Sequence, residues 1–375
     1  MTDYTYDMKY AFGSMGKAGK VRTMKNLSFL EDLKKLDIGR SYNTFKSIRQ
    51  EAKHTRISYI PPRFTFTLTN KCNLRCPTCL YMLTAPQLFE NAGLMRFKDY
   101  QNILDRYKKY IKSLTLTGGE VTLHPELEKF IDYANSLGMK VKAISNGILI
   151  SKKLSAIKKL DDFNVTLDAY DEQSFARNRG GTAKQWESIM AGLQELRKDN
   201  FKFTISFLVT SKNIEELFQL TELADTYQPT TLRLNSFNPH SGKRDLILTK
   251  SDPRVMQVIT EIMKRTDYSY NIKMPLVFDE QHPYFSNKIC VYPWHGVYIN
   301  EKCDVAYCCQ LAHEPHIGNM LTGYTFNSQK MILWRKMLVH HKLAVDCRFC
   351  HRRFKGDYSK FWARKKVWED NDPFK

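Results

Sequence analysis

Acidic side chains are scarce in this chain: Asp and Glu number 39 against 58 Lys and Arg, a formal net charge of +19 over 375 residues at pH 7. An excess of that size attracts phosphates on nucleic acid, anionic lipid or a small substrate, without choosing among them. The cations are dispersed instead of gathered in one block, which is the pattern of an ordinary solvated surface. Long apolar runs are also missing. None approaches the ~18 residues of a membrane span, so no membrane crossing is expected. The first twenty residues lack the apolar core of a secretory signal, which points to the cytoplasm and to reduced thiols. Short repeats and low-complexity stretches are absent. Cysteine does not occur before position 72 or between positions 309 and 347, so the nine present fall in groups. An odd count suits metal ligands better than disulfides.

What is present reads as α/β. From Arg63 onward, the β-branched or aromatic runs FTFTLT, SLTLT, KVKAIS, FNVTLD, KFTISFLVT and TTLRLN alternate with helical patterns such as FKDYQNILDRYKKYI and AKQWESIMAGLQELRKDN. Such alternation predicts parallel strands, six strand-helix units in all, with chemistry at the carboxyl ends of the strands. Gly138 is expected to close the helix of PELEKFIDYANSLG. Three regions are predicted: a basic leader over 1–60, with helical segments near Leu27 to Leu36 and Tyr42 to Lys53, an α/β domain over 61–266, and a small cysteine-rich domain over 267–375.

Cys72, Cys76 and Cys79 stand in TNKCNLRCPTCLYM, directly after the first strand. Three thiolates on one short loop can hold three irons of a four-iron four-sulfur cubane and leave the fourth open for chemistry. A zinc site normally asks for four closed ligands in paired units, and this loop offers three. Strand two ends in Gly118, Gly119 and Glu120, where adjacent glycines allow close backbone approach and a carboxylate can receive an ammonium group. Strand three ends in Ser145-Asn146-Gly147 and strand four in Asp168, which otherwise reads as a helix cap or surface residue. His240 follows strand six, in a turn where a histidine commonly faces solvent.

Together these motifs resemble the radical S-adenosylmethionine (SAM) family over about residues 63–266. The resemblance implies a partial (β/α)6 TIM-like barrel, a radical-site 4Fe-4S cluster on Cys72, Cys76 and Cys79, and SAM held by Gly118, Gly119, Glu120, Ser145, Asn146 and Asp168. It further implies reductive cleavage of SAM to a 5′-deoxyadenosyl radical, fed by a flavodoxin- or ferredoxin-type electron donor.

The other six cysteines all lie beyond residue 289. CVYPWHGVYINEKCDVAYCC, IGN and DCRFC are similar to the SPASM-type extension of that family, which implies one auxiliary 4Fe-4S cluster on Cys290, Cys308, Cys347 and Cys350. A zinc ribbon stays open as the other use of such thiolates. Cys303 takes a position where the family has glycine. Cys309 is expected to point away from Cys308 in an extended chain and is a candidate catalytic residue beside His240. The tail interleaves cations with Phe354, Phe361, Trp362 and Trp368, which suits packing on the parent domain or a grip on nucleic acid or an anionic membrane surface. The substrate is expected to be a small molecule of phosphorylated or sugar-like kind, which the basic surface suits. A peptide maturase or an enzyme acting on RNA is the alternative, and a noncatalytic metal-stabilised binder is the rival of a different class.

Overall fold

The computed structural model describes residues 38–50, 54–90, 92–238, 243–277, 289–312 and 316–340, together with positions 347, 350 and 362–363. The expected helix at 27–36, His240 and most of the basic aromatic tail lie outside the described residues.

All six expected strands form: β1 (Arg63–Thr69), β2 (Ser113–Gly118), β3 (Lys140–Ser145), β4 (Asp162–Thr166), β5 (Phe203–Val209) and β6 (Thr231–Ser236). Each pairs in parallel with the next, and β7 (Asn271–Lys273) adds a further parallel strand beside β6. Three strands that the sequence pattern left unread continue the sheet at the other edge. β8 (Gly296–Ile299) runs parallel to β1, and the antiparallel β9 (Asp304–Ala306) and β10 (Gly318–Asn319) follow, while β11 (Trp362–Ala363) lies beside β7. Segments after residue 267 thus pair with both edges of the same sheet.

Alternation along β1 explains how it is held. Phe64 and Phe66 turn toward the helices, with ring centroids 5.8 Å from Tyr107 and 5.0 Å from Tyr100. The opposite face of β1 carries threonines, and Thr67 Oγ1 lies 2.7 Å from the Tyr298 hydroxyl of β8. Connecting helices at Phe97–Tyr107, Leu127–Ser136, Ala183–Lys198, Leu217–Tyr227 and Pro253–Lys264 follow the predicted pattern, and Gly138 closes the second of them with a φ of +68°. The short helix Glu172–Arg179 has little apolar periodicity and is instead started by a reciprocal cap between Asp171 and Ser174.

Candidate active site

The cysteine loop is rooted by backbone contacts that only glycine permits. Gly119 N–H donates to Thr69 O at 2.8 Å and Glu120 N–H to Lys71 O at 2.7 Å. A Cβ on Gly118 would strike the Thr69 carbonyl, and one on Gly119 the carbonyls of Lys71 and Asn70. The close approach anticipated for a ligand is therefore made, on the Cβ side, by the backbone that leads into Cys72. Within the loop, Cys79 N–H donates to Cys76 O at 3.0 Å, and the Arg75 guanidinium donates to Cys72 O at 2.8 Å.

Glu120 is buried at 2% exposure and ties the ends of two strands together. Its Oε1 accepts from Thr122 N–H at 3.0 Å and from Ser145 Oγ at 2.7 Å, and its Oε2 accepts from Asn146 N–H at 2.6 Å. Ser145 Oγ in turn accepts from Gly147 N–H at 3.0 Å. Asn146 Nδ2 donates to Asn73 Oδ1 at 2.7 Å, which links the end of β3 to the cysteine loop. The sequence-predicted residues Gly118, Gly119, Glu120, Ser145 and Asn146 thus form one connected network behind Cys72 and Cys76.

Asp168 lies just past β4 with a φ of +52°, a left-handed conformation that Asp tolerates better than most residues. Both its carboxylate oxygens are engaged: Oδ2 with Arg179 Nη1 at 2.7 Å and Oδ1 with Leu208 N–H at 2.6 Å. Arg179 is buried, and its Nε has no hydrogen-bond partner. Burial pushes the Cys76 thiol up to about 11, opposed by the Arg179 charge and reinforced by Asp168, Cys79 and Cys72. Burial likewise raises Cys72, with Glu120 and Cys79 adding to the shift. The three loop thiols are therefore within electrostatic reach of one another, with Arg179 as the nearby cation.

The second group of cysteines also gathers. Burial drives the Cys308 thiol well above its ordinary value, and Cys309, Cys350, Cys290 and Cys347 each push it further. Residues up to 60 positions apart in the chain thus lie within electrostatic reach of one thiol. Cys303 is elsewhere, at the turn of the β8–β9 hairpin with a φ of +66°, and its thiol is pushed up to about 12 by burial and by Asp99 and Asp304. Cys309 packs with Tyr81 against Tyr298, Ala306 and Ala312, whereas Cys308 is partly buried against the main core, so the two neighbours do face different surroundings. The Tyr81 hydroxyl lies 3.0 Å from that of Tyr298. Burial raises Tyr81 well above its ordinary value, with Tyr298, Cys309 and Cys79 contributing, which sets this tyrosine between the two groups of cysteines.

Among the described residues, no three His, Cys, Asp or Glu side chains converge on a point that could hold one metal ion. A four-iron cubane needs no such point, because each thiolate binds its own corner iron. Two sets of mutually interacting thiols, half-buried to buried, fit cubanes on that ground. Arg179, Asn73, Tyr81 and Tyr298 were not singled out by sequence reasoning. Asn73 sits inside CNLRC and could have been, whereas Tyr298 meets Thr67 across 231 positions and no local pattern announces it.

A parallel α/β sheet that opens a triple-cysteine loop at the carboxyl end of its first strand defines a class of iron–sulfur enzyme. Residues 66–224 match the Radical SAM superfamily. The chain is similar to the antilisterial bacteriocin subtilosin biosynthesis protein AlbA of Bacillus subtilis, 22% identical over 75% of this chain and 61% of that protein. It is also similar to the mycofactocin maturase MftC of Mycobacterium ulcerans, 27% identical over 50% of each chain. The chain therefore spans between half and about three-fifths of the length of these curated relatives. In fold it resembles SuiB of Streptococcus suis, solved with its precursor peptide SuiA, with a TM-score of 0.59 at 14% identity over 86% of this chain and 74% of that one.

Proposed function

We propose that this chain is a radical SAM maturase of a ribosomally made peptide. When bound, the Cys72/Cys76/Cys79 cluster and SAM would supply a 5′-deoxyadenosyl radical that takes a hydrogen atom from the substrate. The chain's own residues prepare for this. Gly118 and Gly119 let the cysteine loop seat on β2, and Glu120 holds Ser145 and the Asn146 backbone behind it. Asn146 fixes Asn73 of the loop, and the Asp168–Arg179 pair supplies a buried cation facing Cys76. Cys290, Cys308, Cys347 and Cys350 would hold an auxiliary cluster, with Cys309, Tyr81 and Tyr298 lining the space between the two sites. A flavodoxin- or ferredoxin-type protein would deliver the electron.

The convergence of the sequence-predicted cysteine, Gly-Gly-Glu and Ser-Asn-Gly residues into one network is the observation that carries the reaction. The expected small-molecule substrate gives way to the peptide alternative, because AlbA is named for a bacteriocin, MftC is named a maturase, and SuiB was solved with a precursor peptide. After anaerobic reconstitution we expect about eight irons per chain, falling to about four in a Cys72/Cys76/Cys79→Ala variant. The reduced enzyme should form 5′-deoxyadenosine, and a peptide encoded beside its gene should raise that rate and emerge with altered mass. Formation no faster than in Cys76→Ala would overturn the reaction. One retained zinc in place of the second four irons would overturn the auxiliary cluster.

A further inference from the structure

The helix Ile38–Gln50 is amphipathic in the reverse sense. Asn43 and Ser47 face inward at 4% and 0% exposure, while Tyr42, Phe45 and Ile48 stand outward at 58%, 44% and 51%. Hydrogen bonds explain why a polar side can be buried. Asn43 Nδ2 donates to Ile60 O at 2.6 Å and Tyr110 O at 3.2 Å, and Asn43 Oδ1 accepts from Ile60 N–H at 3.0 Å. Arg40 donates to Lys108 O, Gly138 O and Leu137 O at 3.0, 2.9 and 2.6 Å. These acceptors precede β1, β2 and β3, so the helix is fastened across the amino-terminal ends of the strands, opposite the end that carries the cysteine loop. Nothing in this anchoring accounts for the outward apolar residues.

Cations are interleaved with them. Lys46 Nζ lies 4.6 Å from the Tyr42 ring centroid and the Arg49 guanidinium 5.7 Å from that of Phe45. The helix sequence IGRSYNTFKSIRQ contains no acidic residue. Beside it, Lys109 is exposed and Tyr110 is 40% exposed. The residues that lead into the helix include Lys17, Lys20, Arg22 and Lys25.

We propose that this face rests on an anionic lipid surface. Tyrosine and phenylalanine place an apolar body and, for tyrosine, a polar tip at the headgroup level, and Lys or Arg alongside meets the lipid phosphates. Each such cation near an anionic surface contributes roughly fivefold to binding. A second copy of this chain would instead bring like charges together, since the helix carries cations and no acidic residue. Mounted this way, the protein would keep the cysteine-bearing mouth of the sheet turned away from the lipid. The inference is independent of the peptide reading.

Co-sedimentation of the full-length protein with phosphatidylcholine vesicles, with and without phosphatidylglycerol, tests it. We expect binding to the phosphatidylglycerol vesicles that weakens with salt. The Phe45→Ser/Ile48→Ser and Lys46→Ser/Arg49→Ser double variants should each bind about tenfold or more weakly, with unchanged melting curves and 5′-deoxyadenosine formation. Equal binding to both lipids, or double variants that bind like wild type, would overturn the proposal. So would a wild-type protein that ignores both vesicles but retains an acidic protein or RNA through the same side chains.

Discussion

Individual side chains in this protein are constrained most tightly where charge is buried. Asp168 and Arg179 form such a pair, with side-chain exposures of 6% and 11%. Asp168→Asn keeps the shape and the tolerance of a positive φ but strands the guanidinium, so urea unfolding should show a loss of about 3–5 kcal/mol. Adding Arg179→Met should return most of that stability, since replacing a buried pair by apolar groups is often neutral or better. If Asp168→Asn alone were silent, the ion pair would have no structural weight. His124 gives a pH dependence at the same scale. Its Nε2 lies 3.1 Å from Met95 O and its Nδ1 accepts from Glu126 N–H at 3.3 Å, an arrangement that the neutral Nε2–H ring satisfies completely. Burial lowers its folded pKa below the ordinary 6.5, despite the Met95 carbonyl and Glu126. The unfolded chain therefore binds the proton more readily. The contribution of His124 is full above pH 6.5 and is lost as pH falls below it. Thermal unfolding between about pH 7 and about pH 5.5 should lose less stability in His124→Gln than in wild type.

Elements are positioned by a few backbone approaches and caps. The turn after β2 touches the start of the cysteine loop so closely that Gly119→Ala must move the Lys71 and Asn70 carbonyls. Moving them displaces Cys72, one residue on. Gly119→Ala should cost about 1–3 kcal/mol through overpacking and remove about four irons per reconstituted chain while leaving the other four. An unchanged iron count would show that the loop adapts. Helix Glu172–Arg179 was invisible to periodicity because it is fixed by the Asp171–Ser174 cap and carries Arg179 on its last turn. The six principal strands were legible because alternating and continuous apolar runs report burial directly. The short β8, β9 and β10 were not, since two to four residues carry no period.

At the scale of the whole molecule, one buried arginine joins distant segments. Arg335 donates to Pro293 O from Nε at 3.1 Å and Nη2 at 2.9 Å, and from Nη1 to Phe326 O at 2.9 Å and Thr55 O at 3.2 Å. Arg335→Leu leaves those carbonyls without their donor, and should lower stability by about 2 kcal/mol or more. The melting temperature of the anaerobic protein checks this, and no change would mean that water replaces the guanidinium. Local pattern in the chain was sufficient to establish the parallel strands, the order of the motifs along them and the grouping of thiols. Each of those depends on neighbours in sequence: period, spacing and the close φ/ψ freedom of glycine. Tertiary structure alone decided that Glu120 is spent on Ser145 and Asn146, that Asp168 belongs to Arg179, and that Tyr81 meets Tyr298. These pairings arise where strand ends and hairpins meet across the sheet. Burial there makes an unpaired polar group costly, and the partner it finds can lie anywhere in the chain.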